Sequence, residues 1–425
     1  METILLFLGS LFFTIIIGLP IGFCLGISGL ILMISSGNLD SMIVARRIIS
    51  GIDSFILMAI PFFMLSGEIM NRAGIVRDLI KVTDALVGRL KGGLGYVNIL
   101  ASMLFAGVTG SAVADTSALG ILEIPMMTEA GYHKNYACAL TSASSVMGPI
   151  IPPSIPMIIY GMIAGVSIAK LFLAGIIPGL LIAISLSVLN FYYAKKYNYP
   201  KGKKFSIKDI IKLFIKAIPI LVLPLIILGG ILSGIFTPTE AASVAAFYAF
   251  IVAVFLYKMK MIDVYWSFIQ AAKNTAIVML ICGSASIVTW LLTISMVPQS
   301  IANYVFELSS SKILILLGIN AFLLVVGCVI DLVPALLILV PIMAPLAFKI
   351  GIDPIHFGAI VVCNLCLGLI TPPVGTVLYV CSSIGKIKLF DLARAILPMI
   401  LSILVTLFIV TYCPKLIMFF PNLYR

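Results

Sequence analysis

The chain aligns with itself at a fixed spacing. Displaced by 220 residues and without a gap, Gly107 falls on Gly327, Pro125 on Pro345, Gly131 on Gly351 and Gly148 on Gly368. Pro152-Pro153 falls on Pro372-Pro373, Gly165 on Gly385 and Pro178 on Pro398. A recurrence of this kind marks duplicated structure. The matched residues are helix breakers, and they sit inside very apolar sequence. Duplicated, interrupted hydrophobic segments are the sequence mark of a secondary transporter, with its site at the interface of the repeats.

A membrane setting follows from composition. Of 425 residues, 62% are hydrophobic and only 10% charged, far from a soluble globular chain. Apolar stretches of roughly 20 residues, each able to span ~30 Å of hydrocarbon, recur along the whole length. The opening METILLFLGSLFFTIIIGLPIGF has neither a basic leader nor a clear cleavage site and reads as a retained helix. The net charge of +11 lies in short loops, as the positive-inside rule requires, so it does not call for nucleic acid. The eight cysteines are scattered. Cys363 and Cys366 form a lone CxxC inside a candidate helix, too little for zinc or redox chemistry.

Basic loops set the topology. Residues 195–216 carry eight lysines, from Lys195 to Lys216, and are placed in the cytoplasm. Helices near 213–232 and 239–257 run out and back, and one near 275–293 exits. Residues 313–349, with Asp331, Pro334, Pro341 and Pro345, suit a re-entrant hairpin entered from outside. A broken helix near 354–384 returns to Lys386, Lys388 and Arg394, and 395–412 leaves the C-terminus outside. Backward from the lysines, 176–194 enters from outside and a broken helix occupies 135–165. Residues 97–130 form a hairpin entered from inside, preceded by an amphipathic surface segment from Asn71 to Lys91 and a helix at 54–70. The hairpins open to opposite sides, so the repeats are inverted. Residues 1–40 fit either one helix kinked at Pro20 or two short ones.

The expected architecture is an all-α polytopic membrane protein of two inverted repeats, each with a re-entrant hairpin and a broken helix. Its expected divisions are 1–96 (N-terminal scaffold and surface helix), 97–194 (first repeat core), 195–312 (basic loop and second scaffold helices), 313–412 (second repeat core) and 413–425 (tail).

Irregular backbone is tolerated in hydrocarbon only where it is buried in protein or lines a polar cavity. Four such breaks are present: Thr109 to Ser117, Ser142 to Ser154, Gly327 to Pro334, and Asn364 to Thr376. Proline frees carbonyls in the preceding turn, glycine permits close approach, and Ser and Thr add hydroxyls. Together these are oxygen ligands for a hard cation such as Na⁺, while half-helix N-termini suit an anionic group. The blander role, kinks and close helix packing, fits any one of these residues but not their duplicated pattern. Asp115 and Asp331 are the carboxylates singled out in the hairpins. Asp53 and Glu68 read as interfacial, and His133 and His356 as surface residues. Neither a P-loop nor a zinc-protease motif is present. Gly26-Ile27-Ser28-Gly29 has no intramembrane histidine to activate its serine, so a hydrolase is not indicated.

The segments IPFFMLSGEIMNRAGI (60–75), FAGVTGSAVADTSALG (105–120), GPIIPPSIPMIIYG (148–161), GIFTPTEAA (234–242) and LGLITPPVG (367–375) strongly resemble the large membrane subunit of the tripartite ATP-independent periplasmic (TRAP) transporters. The resemblance spans nearly the whole chain. It implies an elevator-type secondary transporter, not an enzyme, in the bacterial inner membrane. The transporter would be driven by sodium, with Na⁺ as coupling ion and no other cofactor. The implied partners are a small four-helix membrane subunit and a periplasmic binding protein that delivers an organic anion of the sialic acid or C4-dicarboxylate class. A first sodium site would use Gly107, Thr109, Ser111, Ser144, Ser145 and Gly148; a second Gly327, Gly368, Thr371 and Val374. Substrate would lie between the hairpin tips, at Asp115, Thr116, Ser117, Pro153 and Thr376. Thr371 aligns with Ile151 and Val374 with Ser154, so the two ion sites differ chemically. A stand-alone carboxylate carrier and a membrane-embedded enzyme are the alternatives.

Overall fold

The computed structural model describes residues 2–37, 41–308 and 311–424, and among these the only β-pairing is an isolated bridge between Lys91 and Lys201. The first 40 residues form two helices, α1 (Glu2–Ile16) and α2 (Ile21–Ser35), parted at Pro20. Proline has no amide to continue the α1 ladder but is well suited to starting α2. Next come α3 (Ser41–Ile52), α4 (Ala59–Arg72) and the amphipathic α5 (Val76–Val87). Val76, Leu79, Ile80 and Val82 make the buried face of α5, in the segment read as surface-lying.

The first hairpin is α6 (Gly93–Thr109) and α7 (Ala112–Glu129). The first broken helix is α8 (Lys134–Ser145) and α9 (Ile155–Ala164), followed by α10 (Ile168–Lys196). Then α11 (Ile207–Leu232), α12 (Pro238–Ile251, extended by a π-turn to Leu256) and the long α13 (Met261–Ile294) lead to α14 (Val297–Leu308). The second hairpin is α15 (Lys312–Gly327) and α16 (Leu332–Lys349). The second broken helix is α17 (Pro354–Gly368) and α18 (Thr376–Gly385), and α19 (Leu389–Tyr412) follows. Two short helices, Pro414–Ile417 and Phe419–Leu423, end the chain.

Each element of the first repeat thus returns about 220 residues later. The helices α10, α11, α13 and α19 begin earlier than the spans expected from the sequence. Among the described residues six helices are long and apolar enough to cross a membrane, or seven if the bent pair α3–α4 counts as one span.

Packing interlocks the repeats. The second arm of each hairpin packs against the far half of the other repeat's broken helix: α7 on α18, and α16 on α9. Helix α10 packs on α17 and α19, and α8 on α19. A second group forms along α13, which holds α2, α3 and α4, with α12 on α4 and α11 on α12. The two groups meet where α4 touches α6 and α13 touches α16. There Thr289 Oγ1 donates to the Leu337 carbonyl at 3.3 Å.

His356 corrects a sequence expectation. It is buried in the first turn of α17, 3% exposed, with Nε2 2.7 Å from the Val410 carbonyl. A polar tip with one carbonyl partner lets the ring pack between α17 and α19. His133 is exposed at the start of α8, as expected.

Candidate functional site

The first hairpin turns on Gly110, whose left-handed φ of +61° closes α6, and on Ser111, which caps α7 by accepting from the Ala114 amide at 3.4 Å. A Cβ on Gly110 would also run into the Pro153 carbonyl oxygen at 2.6 Å, so the hairpin tip and the broken helix touch through backbone. Thr109 Oγ1 donates to Asp115 Oδ1. Asp115 is fully buried, and its Oδ2 has no partner. That oxygen faces Gly148: a Cβ there would lie 2.5 Å from Asp115 Oδ2 and 3.1 Å from the Ser145 carbonyl oxygen. Thr109, Ser111, Ser145 and Gly148 are therefore brought together around an orphan carboxylate oxygen. Gly107 stands one turn earlier, where a Cβ would press on Pro224 at 2.8 Å.

Ser144 points into a different buried cluster. Its hydroxyl donates to Asn98 Oδ1 at 2.8 Å and accepts from Ser102 at 2.9 Å. Asn98 Nδ2 donates to Glu123 Oε2 at 2.6 Å and to Thr141 Oγ1 at 2.7 Å. Glu123 is fully buried with Oε1 unpartnered. It is a hairpin carboxylate away from the tips, which the sequence reading does not single out. An acid and an asparagine within apolar helices were the signal that could have found the cluster.

The second crossing relies on backbone. Gly327 lies so close to Gly368 that a Cβ on Gly368 would strike the Gly327 carbonyl, whereas one on Gly327 would sit 3.4 Å from Gly368 Cα. The Val374 amide donates to the Cys328 carbonyl at 3.1 Å, tying hairpin to break. Thr371 Oγ1 donates back to the Leu367 carbonyl at 2.7 Å. Asn364 is buried; its Nδ2 donates to Asn320 O and Oδ1, and its own Oδ1 has no partner. Asp115 Oδ2 at the first crossing and Asn364 Oδ1, one turn before Gly368 on α17, are thus fully buried acceptors lacking a donor, an arrangement that costs free energy unless a cation or water supplies the contact. Among the described residues no three His, Cys, Asp or Glu side chains cluster as metal ligands. Carbonyl, hydroxyl and carboxamide oxygens suit a hard cation instead.

Between the hairpin tips and the α4–α13 pair lies a cavity of about 520 Å³. Thr109, Ser111, Ser117 and Asp331 line one side, and Glu68, Asn71, Gln270 and Asn274 the other. Of the residues expected to bind substrate, Ser117 lies on this wall. Thr376 reaches it indirectly, donating to Asp331 Oδ1 at 3.2 Å. Asp115, Thr116 and Pro153 are buried behind the wall, and Thr116 bonds back to the Ala112 carbonyl at 2.8 Å. Glu68 lines the cavity rather than standing only at an interface. The amides of α13 escaped the sequence reading because nothing in the chain order says that α13 faces the hairpin tips.

Residues 8–416 match the family model described as the tripartite ATP-independent periplasmic transporter, DctM component. The chain is 43% identical over 97% of its length to the 2,3-diketo-L-gulonate TRAP transporter large permease protein YiaN of Escherichia coli, covering 98% of that protein. It is 40% identical to the sialic acid TRAP transporter large permease protein SiaM of Vibrio cholerae, covering 96% of each. Its fold is similar to the crystal structure of the YdaH transporter of Alcanivorax borkumensis, with a TM-score of 0.63 and 14% identity over 88% of this chain and 89% of that one.

Proposed function

The chain belongs to the DctM component family of the tripartite ATP-independent periplasmic transporters, and from that premise we propose that a sodium gradient drives organic-anion import through it. It is a multi-pass inner-membrane permease, not an enzyme. The proposed substrate is an organic acid of the sialic acid or C4-dicarboxylate class. A periplasmic binding protein would deliver it, and a small four-helix membrane subunit would support the large one.

The observation that carries sodium coupling is the pair of orphan acceptors. Asp115 Oδ2 stands beside Gly148 at one crossing, and Asn364 Oδ1 is buried on the broken helix of the other. One Na⁺ would sit among Thr109, Ser111, Ser145 and Gly148, with Gly107 and Ser144 in the adjoining turns, and would neutralise Asp115. A second would sit among Gly327, Gly368, Thr371 and Val374, held mostly by carbonyls. Each ion entering at −100 mV contributes ~2.3 kcal/mol from voltage alone. Ion binding would draw hairpin and broken helix together and complete the cavity wall. The interlocked repeat cores would then carry the substrate past the α13 group in an elevator movement.

The test is uptake into sealed proteoliposomes holding this chain with its small partner, plus receptor and labelled substrate, with and without an inward sodium gradient. Uptake requiring both sodium and receptor is the expected result. Sodium-driven uptake without receptor would replace the tripartite reading with a stand-alone carrier, and uptake indifferent to sodium would remove the ion sites.

A further inference from the structure

The cavity wall has a chemistry that anion transport by itself does not demand. None of the lining residues is Lys, Arg or His. Two carboxylates, Glu68 and Asp331, face the space, together with the carboxamides of Asn71, Gln270 and Asn274. The α13 groups are joined in a chain. Gln270 Nε2 donates to Asn274 Oδ1 at 3.2 Å, and Asn274 Nδ2 donates to Glu68 Oε1 at 3.4 Å. These bonds leave the Gln270 carboxamide oxygen, one N–H on each amide and the second Glu68 oxygen for a ligand. Arg72 stands 4.0 Å from that second oxygen, 37% exposed, which is too loose and too wet to neutralise it.

The seats for negative charge are few. Val113 and Ala114 of the first turn of α7 line the cavity, where the Ala112 and Val113 amides point out of the helix start. Both hairpin helix starts carry a carboxylate, but Asp115 of α7 is buried behind the wall whereas Asp331 at the start of α16 lines the cavity. So one anionic group has a place, and a second would lie against carboxylates. The volume, about 520 Å³, is in the ~300–1,000 Å³ range of sites that enclose drug-sized molecules and exceeds what a four-carbon diacid fills.

We infer that this cavity selects a polyhydroxylated monocarboxylate, a sugar acid, over a C4-dicarboxylate, with Glu68, Asn71, Gln270 and Asn274 reading the hydroxyls. Hydroxyls donate to the carboxylates and both donate to and accept from the carboxamides, so such a ligand satisfies a wall that would repel a second carboxylate. Glu68 then acts as the discriminating charge, excluding the wrong ligand rather than attracting the right one. This inference rests on the transport reading above.

The sodium-gradient uptake assay, run with labelled N-acetylneuraminate, D-gluconate and succinate, tests it. The wild-type complex takes up at least one sugar acid and not succinate. Asn274→Ala and Gln270→Ala each lower kcat/KM for that sugar acid by about tenfold, chiefly through KM, as expected for loss of one hydrogen bond. Glu68→Gln makes succinate a stronger inhibitor of uptake. The receptor is the same in every arm, so changes of preference belong to this chain. Sodium-driven uptake of succinate by the wild type, or unchanged sugar-acid kinetics in both amide variants, overturns the inference and leaves sodium-driven transport standing. Absence of sodium-dependent uptake of all three, with folded protein in sealed vesicles, overturns the transport reading and the inference together.

Discussion

At the scale of the residue, the two crossings of hairpin and broken helix depend on the absence of a side chain. Gly148 has no room for one, because Asp115 Oδ2 and the Ser145 carbonyl already fill the place of its Cβ. Overpacking of this kind costs about 1–3 kcal/mol, and ~1.4 kcal/mol is tenfold in affinity. Gly148→Val is therefore expected to lower sodium-driven uptake by about tenfold or more while the protein remains monodisperse in detergent; normal uptake would remove Gly148 from the ion site. Asp115→Asn keeps an oxygen that can accept from Thr109 but loses the charge. Its expected signature is a sodium requirement shifted to higher concentration, read from the sodium dependence of uptake, and an unchanged requirement would assign Asp115 to holding the hairpin tip alone. His356 serves stability instead. Replacing it with Phe strands the Val410 carbonyl and should cost about 1–3 kcal/mol, seen as a lower Tm in detergent with sodium dependence unaltered. An unchanged Tm would show that the bond carries no weight.

At the scale of the element, the duplicated halves differ where function has little use for symmetry. Helix α13 is continuous, whereas its counterpart in the first repeat is split into α3 and α4 with a bend of 59°. The break falls at 53–55, and Pro61 sits in the first turn of α4, where a missing amide costs no helix bond, while Ile281 stands at the matching place inside α13. The Phe55 carbonyl, which takes the Met58 amide at 3.3 Å, also accepts from Thr239 Oγ1 at 2.9 Å, and this docks the start of α12 onto the break. The run FTPTEAA gains a physical meaning here. Thr237 caps α12, Pro238 occupies its first position, and Glu240 returns a bond to the Thr237 amide at 2.8 Å. Thr237→Ala should cost about 1 kcal/mol. Faster amide hydrogen exchange in the first turn of α12 would report it, and wild-type exchange rates would count against the cap.

At the scale of the molecule, hairpins traded between repeats make one body of two sequence-distant cores, and α13 gathers the rest. An elevator movement requires the contact between α13 and α16 to break. A cysteine pair engineered across this contact, where Thr289 Oγ1 meets the Leu337 carbonyl at 3.3 Å, would lock α13 to α16 on oxidation. Oxidation is expected to stop uptake and reduction to restore it. Full uptake by the cross-linked protein would mean that hairpin and scaffold do not slide past one another.

The sequence by itself determined the helical class, the duplication, the hairpins, the broken helices and the amphipathic α5. These follow from hydrophobic length, from proline and glycine placement and from the asymmetry of basic loops, all of which act over a few turns of chain. It also marked the glycines of both crossings, since Gly148 and Gly368 are breakers repeated at one spacing. The tertiary structure decided what faces what. That Glu123 meets Asn98, that Asp115 turns inward to Gly148 while Ser117 faces the cavity, and that Gln270 and Asn274 complete the cavity wall all depend on how helices rotate and cross. A helical residue's direction changes by about 100° per position, so a small change in packing exchanges wall for interior. His356 was misread for the same reason: a loop-like neighbourhood in the chain is a buried seam once α19 closes over it.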